Sequence, residues 1–553
     1  MTSVPLTWSR GEKLAAGALF ALALTLRLLH LREIELNDPF FALPSTDALL
    51  YHQWASEIAR GDWLGQGVFF LAPLYAYFLG LVYAVFGSAF EVAMIANALL
   101  GALSSVLVVA VGRRLFDRRA ALIAGALIAL DSTSIFFGGM LASANLVVPL
   151  VLLLLLAAQR AHESPSGVRW LGAGFALGLC ALAWQALLLF ALYLVVWPVF
   201  SEKSSAASRA RWAALVVAGM ALAILPVSLR NYAVADEFAL VNTGGGISLY
   251  VGNHPHAMGT YGMPRVYSRV IADEPIEQRQ LFAEVAGQVS GRALKASEIS
   301  AFWAGETLDY ISTNPAQWLR HEVRKFGLFW NAAELWRERS PTAERAFSWV
   351  QRLPLISFAL VGPLALLGMG LFASQLSRLY LVYAVIEFHL VVSLAFSVLA
   401  RDRMSALPAF YLFASAAACW LWDRFRGRRF RALAIGLAAL GLAAWLVHLP
   451  LSRENLAMAY YRLGDRFVQL EQWDEAIEYF GRSLNRDPGA ISTWNQLALA
   501  FEARGDSHRD AVHTWLRVLD LARQKDYHLH AVRAERHLRG LGIEPLVAPP
   551  GAH

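Results

Sequence analysis

The chain has 553 residues, of which 57% are apolar and only 16% charged, and its formal net charge is +6. Soluble domains carry nearer about a quarter charged residues, so this composition excludes an ordinary soluble protein. The positive excess sits in short segments between apolar runs, a pattern of membrane orientation that speaks against nucleic acid.

The run Leu14 to Leu31 follows Arg10 and Lys13. No small-residue cleavage site follows it, so it reads as a retained first span. A helix needs roughly 20 apolar residues to cross the hydrocarbon core. Further candidate spans are 90–112, 119–137, 141–158, 170–184, 185–200, 212–229, 352–373, 379–399, 406–423 and 432–449. The runs 170–184 and 185–200 join at Trp184-Gln185 and are read as a hairpin, because the joint run is too long for one crossing. Cys180 and Cys419 both fall inside apolar runs and read as packing residues, not a disulfide.

The run 69–86, FFLAPLYAYFLGLVYAVF, is apolar enough to cross as well, and charge decides its fate. If it stays out, Arg10 and Lys13, the basic residues of RRLFDRR, Arg160, Arg169, Lys203, Arg209, Arg211, Arg378 and those of RFRGRRFR all fall on the side of the N-terminus. If it crosses, RRLFDRR and RFRGRRFR face outward, against the positive-inside rule. The expected fold is therefore an all-α polytopic membrane protein of about eleven spans. Its N-terminus is cytoplasmic, and 69–86 lies along the outer face. Loops 32–89 and 230–350 and the tail after Pro450 face outward.

The tail repeats itself. Tyr460, Leu463, Gly464, Phe467, Ala476 and Phe480, in a first unit that also carries Pro488, recur at a 34-residue start-to-start period as Trp494, Leu497, Ala498, Phe501, Ala511 and Trp515, with one residue inserted before Ala511. These are tetratricopeptide-repeat spacings. Residues 1–450 are thus expected to form the membrane domain and 451–553 a repeat domain, with 528–541 as a capping helix. Two units are fewer than the three usually needed for stability, so the membrane domain is assigned the other cap.

The first outer loop holds the candidate chemistry. Ser45 or Thr46 caps a helix expected to run to about Arg60, with Asp47 in its first turn and Leu50 and Trp54 on the same face. A carboxylate at a membrane surface beside aromatic residues serves as a general base; in the plainer reading it only offsets the helix dipole. Tyr51 and His52, on the same helix, are candidate substrate contacts.

The order of features along the chain resembles the GT-C glycosyltransferases, and within them glycosyltransferase family 39, which includes the protein O-mannosyltransferases and the lipid A aminoarabinose transferases. The resemblance is carried by the Asp-led loop helix, the Pro-Leu-Tyr juxtamembrane stretch, NALLGALSSVLVVAVGRRLFDRRAALIAGAL, LPVSLRNYAVADEF, GGGISLYVGNHPHAMGTYGMP and ARDRMSALPAF, and covers most of residues 10–425. It implies transfer of a sugar from a polyprenyl-phosphate donor to a hydroxyl acceptor on the outer face of a bacterial inner membrane. The anomeric centre inverts, and Asp47 is the base. The departing lipid phosphate needs positive charge, for which Arg230, Arg401 and Arg403 are candidates. Arg27 and Lys325 are weaker ones, since they also read as a snorkelling anchor and as part of an interfacial helix. Asn253 and His254 are candidate sugar contacts in an ordered loop over the site.

Two departures from the family pattern bear on metal use. FFGGMLASANL offers Ala144 and Asn145 where many relatives carry a second acid, leaving Asp131 as a candidate substitute; and Asp47 is followed by Ala48, not by a second acid. Both weigh against a plain protein O-mannosyltransferase. They leave a divalent ion, Mg or Mn, in doubt as cofactor. The expected partners are the lipid-linked donor, membrane lipids, and a protein acceptor or assembly partner for the repeats. Two other readings remain open. One is a non-catalytic scaffold for envelope glycan assembly. The other is a lipid-linked glycan transporter or polymerase, disfavoured because Glu387 and His389 are the main polar residues inside spans.

Overall fold

A computed structural model describes residues 8–42, 46–200, 205–260, 275–337, 339–505 and 508–544. It is helical throughout, and its only β element among the described residues is an isolated bridge between Asp131 and Ile356. Among the described residues, seven helices are long and apolar enough to cross a membrane: Arg10–Asn37, Phe90–Leu115, Ala144–Glu163, Ala206–Ala235, Ala373–Ala395, Ala400–Arg426 and Phe430–Val447. Four shorter apolar helices, Leu74–Phe86, Gly167–Ala183, Gln185–Val196 and Phe358–Leu371, fall on expected spans or on the juxtamembrane run. The protein is thus an all-α polytopic membrane protein, as its composition requires.

Two expected spans are interrupted. The run 119–137 forms the helices Arg118–Ala129 and Ser132–Gly138. The break falls at Asp131, whose carboxylate accepts the Ser134 amide at 2.6 Å, as an N-capping residue does. Ile356 bridges the gap through its backbone, accepting from Ser132 and donating to Leu130. The run 185–200 is two 3₁₀ turns around a short helix, Ala191–Val196, and contains Pro198, which lacks an amide to donate. The helix Leu74–Phe86 has 13 residues. At 1.5 Å per residue that is about 20 Å, short of the roughly 30 Å hydrocarbon core.

Close helix packing rests on small residues. Helices Gly167–Ala183 and Ala206–Ala235 cross so tightly that a Cβ on Gly219 would lie 2.1 Å from the Leu171 carbonyl oxygen, and one on Gly174 2.1 Å from that of Val216. Backbone approach of this kind is how helices associate where no hydrophobic effect drives them together.

The chain divides into two compact units: residues 1–32, 45–337 and 349–453 in the first, and 33–44, 338–348 and 454–553 in the second. In the second, Leu456–Gln469, Trp473–Leu484, Ile491–Arg504, His508–Gln524 and His528–Gly540 form a succession of helices, each packed on the next. Gly464 is where the Phe480 ring sits, since a Cβ there would fall 2.6 Å from it. The last helix buries Ala534 and Leu538. The unit also takes in two segments, 33–44 and 338–348, that a boundary at residue 450 would leave with the membrane domain. Both segments contribute to a buried ion cluster: the Arg339 guanidinium donates to Asp38 and to both Glu344 oxygens, at 2.7 and 2.6 Å for the latter.

Candidate functional site

The helix Thr46–Ala59 opens with Asp47 in its first turn. Ser45, one of the two expected caps, lies outside the described residues, as does the side chain of Thr46. Asp47 is buried, and its Oδ2 receives two guanidinium groups: Arg401 Nη1 at 2.9 Å and Arg337 Nη1 at 3.5 Å. These groups come from three separate parts of the chain. Arg401 stands on the turn Ala400–Arg403, and Arg337 ends the irregular stretch after the helix Pro315–Trp330. Burial acts to raise the Asp47 carboxyl, but Arg337 and Arg401 outweigh it and hold it below the usual carboxylate range. Burial and the Asp47 charge push up the phenol of Tyr51, one turn along, so it stays neutral.

Asp47, Tyr51, Arg337 and Arg401 all line a cavity of about 860 Å³. One wall is apolar, with Ala183, Trp184, Leu188, Val392 and Phe396, while Gln278, Arg279, Ser297 and Ser300 make another part polar. The glycine-rich stretch forms the start of the helix Gly245–Asn253 and closes one side. Gly246 donates its amide to Ser300 Oγ at 2.9 Å, and a Cβ there would fall 1.8 Å from the Ser300 carbonyl oxygen. Glycine is needed because two backbones meet.

The other sequence candidates are placed elsewhere. Arg230 gives Nε to the Leu64 carbonyl at 2.6 Å and Nη1 to that of Gly67 at 2.5 Å, with its guanidinium 3.9 Å over the Phe69 ring. Arg403 donates to the Phe329 and Asn331 carbonyls at 2.9 and 3.0 Å and pairs with Glu334 at 3.1 Å. His52 meets the Tyr83 hydroxyl at 2.8 Å, away from the cavity. Asn253 donates to Leu249 and Ala395 and accepts from Trp318 and Lys325, and His254 Nδ1 accepts the His256 amide at 3.2 Å; neither lines the cavity. Asp131 is the helix cap described above. Arg27 is buried and donates to the carbonyls of Ala23, Ile128 and Ala129, which closes the end of the helix Arg118–Ala129. Within the ninth expected span, Glu387 is exposed, while His389 bonds Ser405 Oγ and the Val385 carbonyl, each at 2.6 Å.

Of the candidates, the cavity therefore gathers Asp47, Tyr51 and Arg401. It adds Arg337, which no sequence signal marked: LWRERSP is a charged loop like many others, and only the fold aims Arg337 at Asp47. Among the described residues no three His, Cys, Asp or Glu side chains gather as a metal cluster. The two cavity carboxylates, Asp47 and Asp402, share their space with Arg337 and Arg401. Such a donor set does not suit Mg or Mn, whose sites gather carboxylates away from fixed cations.

Fold and cavity define a polytopic membrane protein with an ionic site bordered by an apolar wall. Within it, residues 71–229 match the family model of dolichyl-phosphate-mannose-protein mannosyltransferase. The match bears out the resemblance to GT-C, family-39-like glycosyltransferases read from the sequence. The chain is also similar to the archaeal oligosaccharyltransferase AglB from Archaeoglobus fulgidus, solved with an inhibitory peptide and a dolichol-phosphate; the identity is 15% over 85% of this chain and 60% of that one, with a TM-score of 0.41. It thus spans 60% of the length of that protein. ArnT from Cupriavidus metallidurans in the apo state is similar at 17% identity over 94% of this chain and 77% of that one, with a TM-score of 0.41. The same protein bound to undecaprenyl phosphate gives 16% over 74% and 79%, with a TM-score of 0.34. No curated protein matches the chain.

Proposed function

We propose that this protein is an inverting glycosyltransferase that moves a sugar from a polyprenyl-phosphate donor to a hydroxyl acceptor on the outer face of a bacterial inner membrane. The observation that carries the reading is the Asp47 carboxylate, with Arg401 at 2.9 Å, on a cavity of about 860 Å³ with one apolar wall. The family match over residues 71–229 supports the reaction class. Asp47 takes the acceptor's hydroxyl proton as the new bond forms to the sugar's anomeric carbon. The bond from that carbon to the phosphate oxygen breaks, and its electron pair leaves with the lipid phosphate. Arg401 is placed to offset the charge that develops there. The apolar wall suits the first isoprene units of the donor. The helices after residue 454 would recruit a protein acceptor or an assembly partner, as helical repeat arrays do through their concave faces.

The test is turnover of full-length protein in lipid nanodiscs, with a panel of polyprenyl-phosphate sugars and with acceptors identified by mass spectrometry of a deletion strain. The variant D47N is expected to lose turnover by about 10²–10⁴-fold, the usual contribution of a positioned base. Normal turnover in D47N would remove Asp47 as the base, whereas no turnover by the unmodified protein with any donor of the panel would favour the scaffold reading.

A further inference from the structure

Asp47 is a strange base. Two ion pairs converge on one of its oxygens, Oδ2, from Arg337 and from Arg401. A carboxylate in that position gains from staying ionised and has little appetite for a proton. The charged or titratable neighbours facing it are Arg337, Arg401, Asp402 and Tyr51. The first two come from different elements and reach the same point in space. Arg401 retains 24% side-chain exposure and Arg337 14%, and both line the cavity, so both are within reach of an entering ligand.

Two guanidinium groups converging on one oxygen make a site for a small oxyanion, because guanidinium pairs with carboxylate and phosphate oxygens through the same planar fork. A lipid phosphate entering the cavity therefore competes with Asp47 for the same donors. Its claim grows during the reaction. A sugar phosphodiester carries one negative charge, while the phosphate monoester left after the sugar departs approaches two.

We propose that Arg337 and Arg401 form the donor's phosphate site, that Asp47 fills this site in the free protein, and that the phosphate draws both arginines off Asp47 and so makes it a competent base only when donor is present. The inference rests on the glycosyl-transfer reading above and adds Arg337 and an order of events to it. Losing two cations raises the proton affinity of Asp47. The acceptor proton then passes to Asp47 while the leaving phosphate keeps the arginines. Without donor, the pair stays closed and no acceptor or water is activated.

The experiment measures binding apart from turnover, with undecaprenyl phosphate as the probe and full-length protein in nanodiscs. D47N is expected to bind undecaprenyl phosphate about tenfold more tightly than the unmodified protein, since a built-in competitor is gone. R337Q and R401Q are each expected to bind it about tenfold more weakly. Unchanged or weaker binding by D47N overturns the competition, and normal binding by R337Q removes Arg337 from the site; neither outcome touches the donor reading. Failure of the unmodified protein to bind undecaprenyl phosphate at all overturns both. A second measurement needs no variant. The acid limb of kcat, which reports the donor complex, is expected at higher pH than that of kcat/KM, which reports the free protein. Coincident limbs overturn the proposal.

Discussion

The Arg230 guanidinium lies 3.9 Å above the Phe69 ring and holds the carbonyls of Leu64 and Gly67. Gly65 and Gly67 adopt φ of 57° and 67°, which lets this turn present its carbonyls inward. The turn leads directly into Phe70, Leu71 and Ala72, which line the cavity. Arg230 thus shapes the cavity wall through a loop. R230Q is expected to raise KM for the donor about tenfold, ~1.4 kcal/mol, with kcat little changed and with faster proteolytic cleavage between residues 60 and 70. A large fall in kcat at saturating donor would instead give Arg230 a part in leaving-group departure.

Lys325 has a fully buried side chain, and its ammonium donates to Asn253 Oδ1 at 2.9 Å, Glu322 Oε1 at 2.8 Å and the Leu394 carbonyl at 2.7 Å. All three of its protons are used. K325M leaves the nearly buried Glu322 without its cation and is expected to cost about 3–5 kcal/mol. The double variant K325M/E322Q should recover part of that loss. Thermal unfolding in detergent tests both, and equal stability of K325M and the unmodified protein would refute a structural role.

Gly219 and Gly172 belong to the same helix pair but differ in surroundings. A Cβ on Gly219 meets the Leu171 carbonyl oxygen at 2.1 Å, whereas one on Gly172 meets nothing within 4 Å. G219A is expected to destabilise the bundle by about 1–3 kcal/mol by forcing two backbones apart. G172A should be neutral or slightly stabilising, since alanine is the better helix former. Melting temperatures and expression yields of the pair decide the matter.

Asp38 and Glu344 share one guanidinium, that of Arg339, inside the second unit. Burial, with the Asp38 charge, pushes Glu344 from 4.5 up to about 7 against the pull of Arg339. Between those two pH values the folded form therefore binds more protons than the unfolded form. Linkage then requires the unit's stability to fall as pH rises from about 4.5 through about 7. Hydrogen-exchange protection of the helices Leu456–Gln469 and Trp473–Leu484, corrected for intrinsic exchange, should fall over that window. E344Q should flatten the dependence. Protection that rises with pH, or an unflattened E344Q profile, contradicts a retained proton.

Most helices were legible because length and apolar content report directly on a membrane solvent. The helix opening at Thr46 was legible through its start signals, and the one around Lys325 through its amphipathic pattern. The break at Asp131 was not, because an aspartate inside an apolar run reads equally as a polar residue at a helix end. The arginines show the same limit. Arg230, Arg401 and Arg403 look alike as outer-boundary cations, yet one holds a turn, one faces Asp47, and one binds carbonyls and Glu334.

By itself, then, the sequence determined the solvent, the approximate spans, the glycosyltransferase resemblance and the position of Asp47 at a helix start, because these depend on composition and on neighbours within a few residues. Only the tertiary structure decided which cations Asp47 meets. Arg337 and Arg401 lie 290 and 354 residues away along the chain. A guanidinium's role is set by the oxygen within about 3 Å of it, and at such separations that partner is chosen by the packing of the whole bundle.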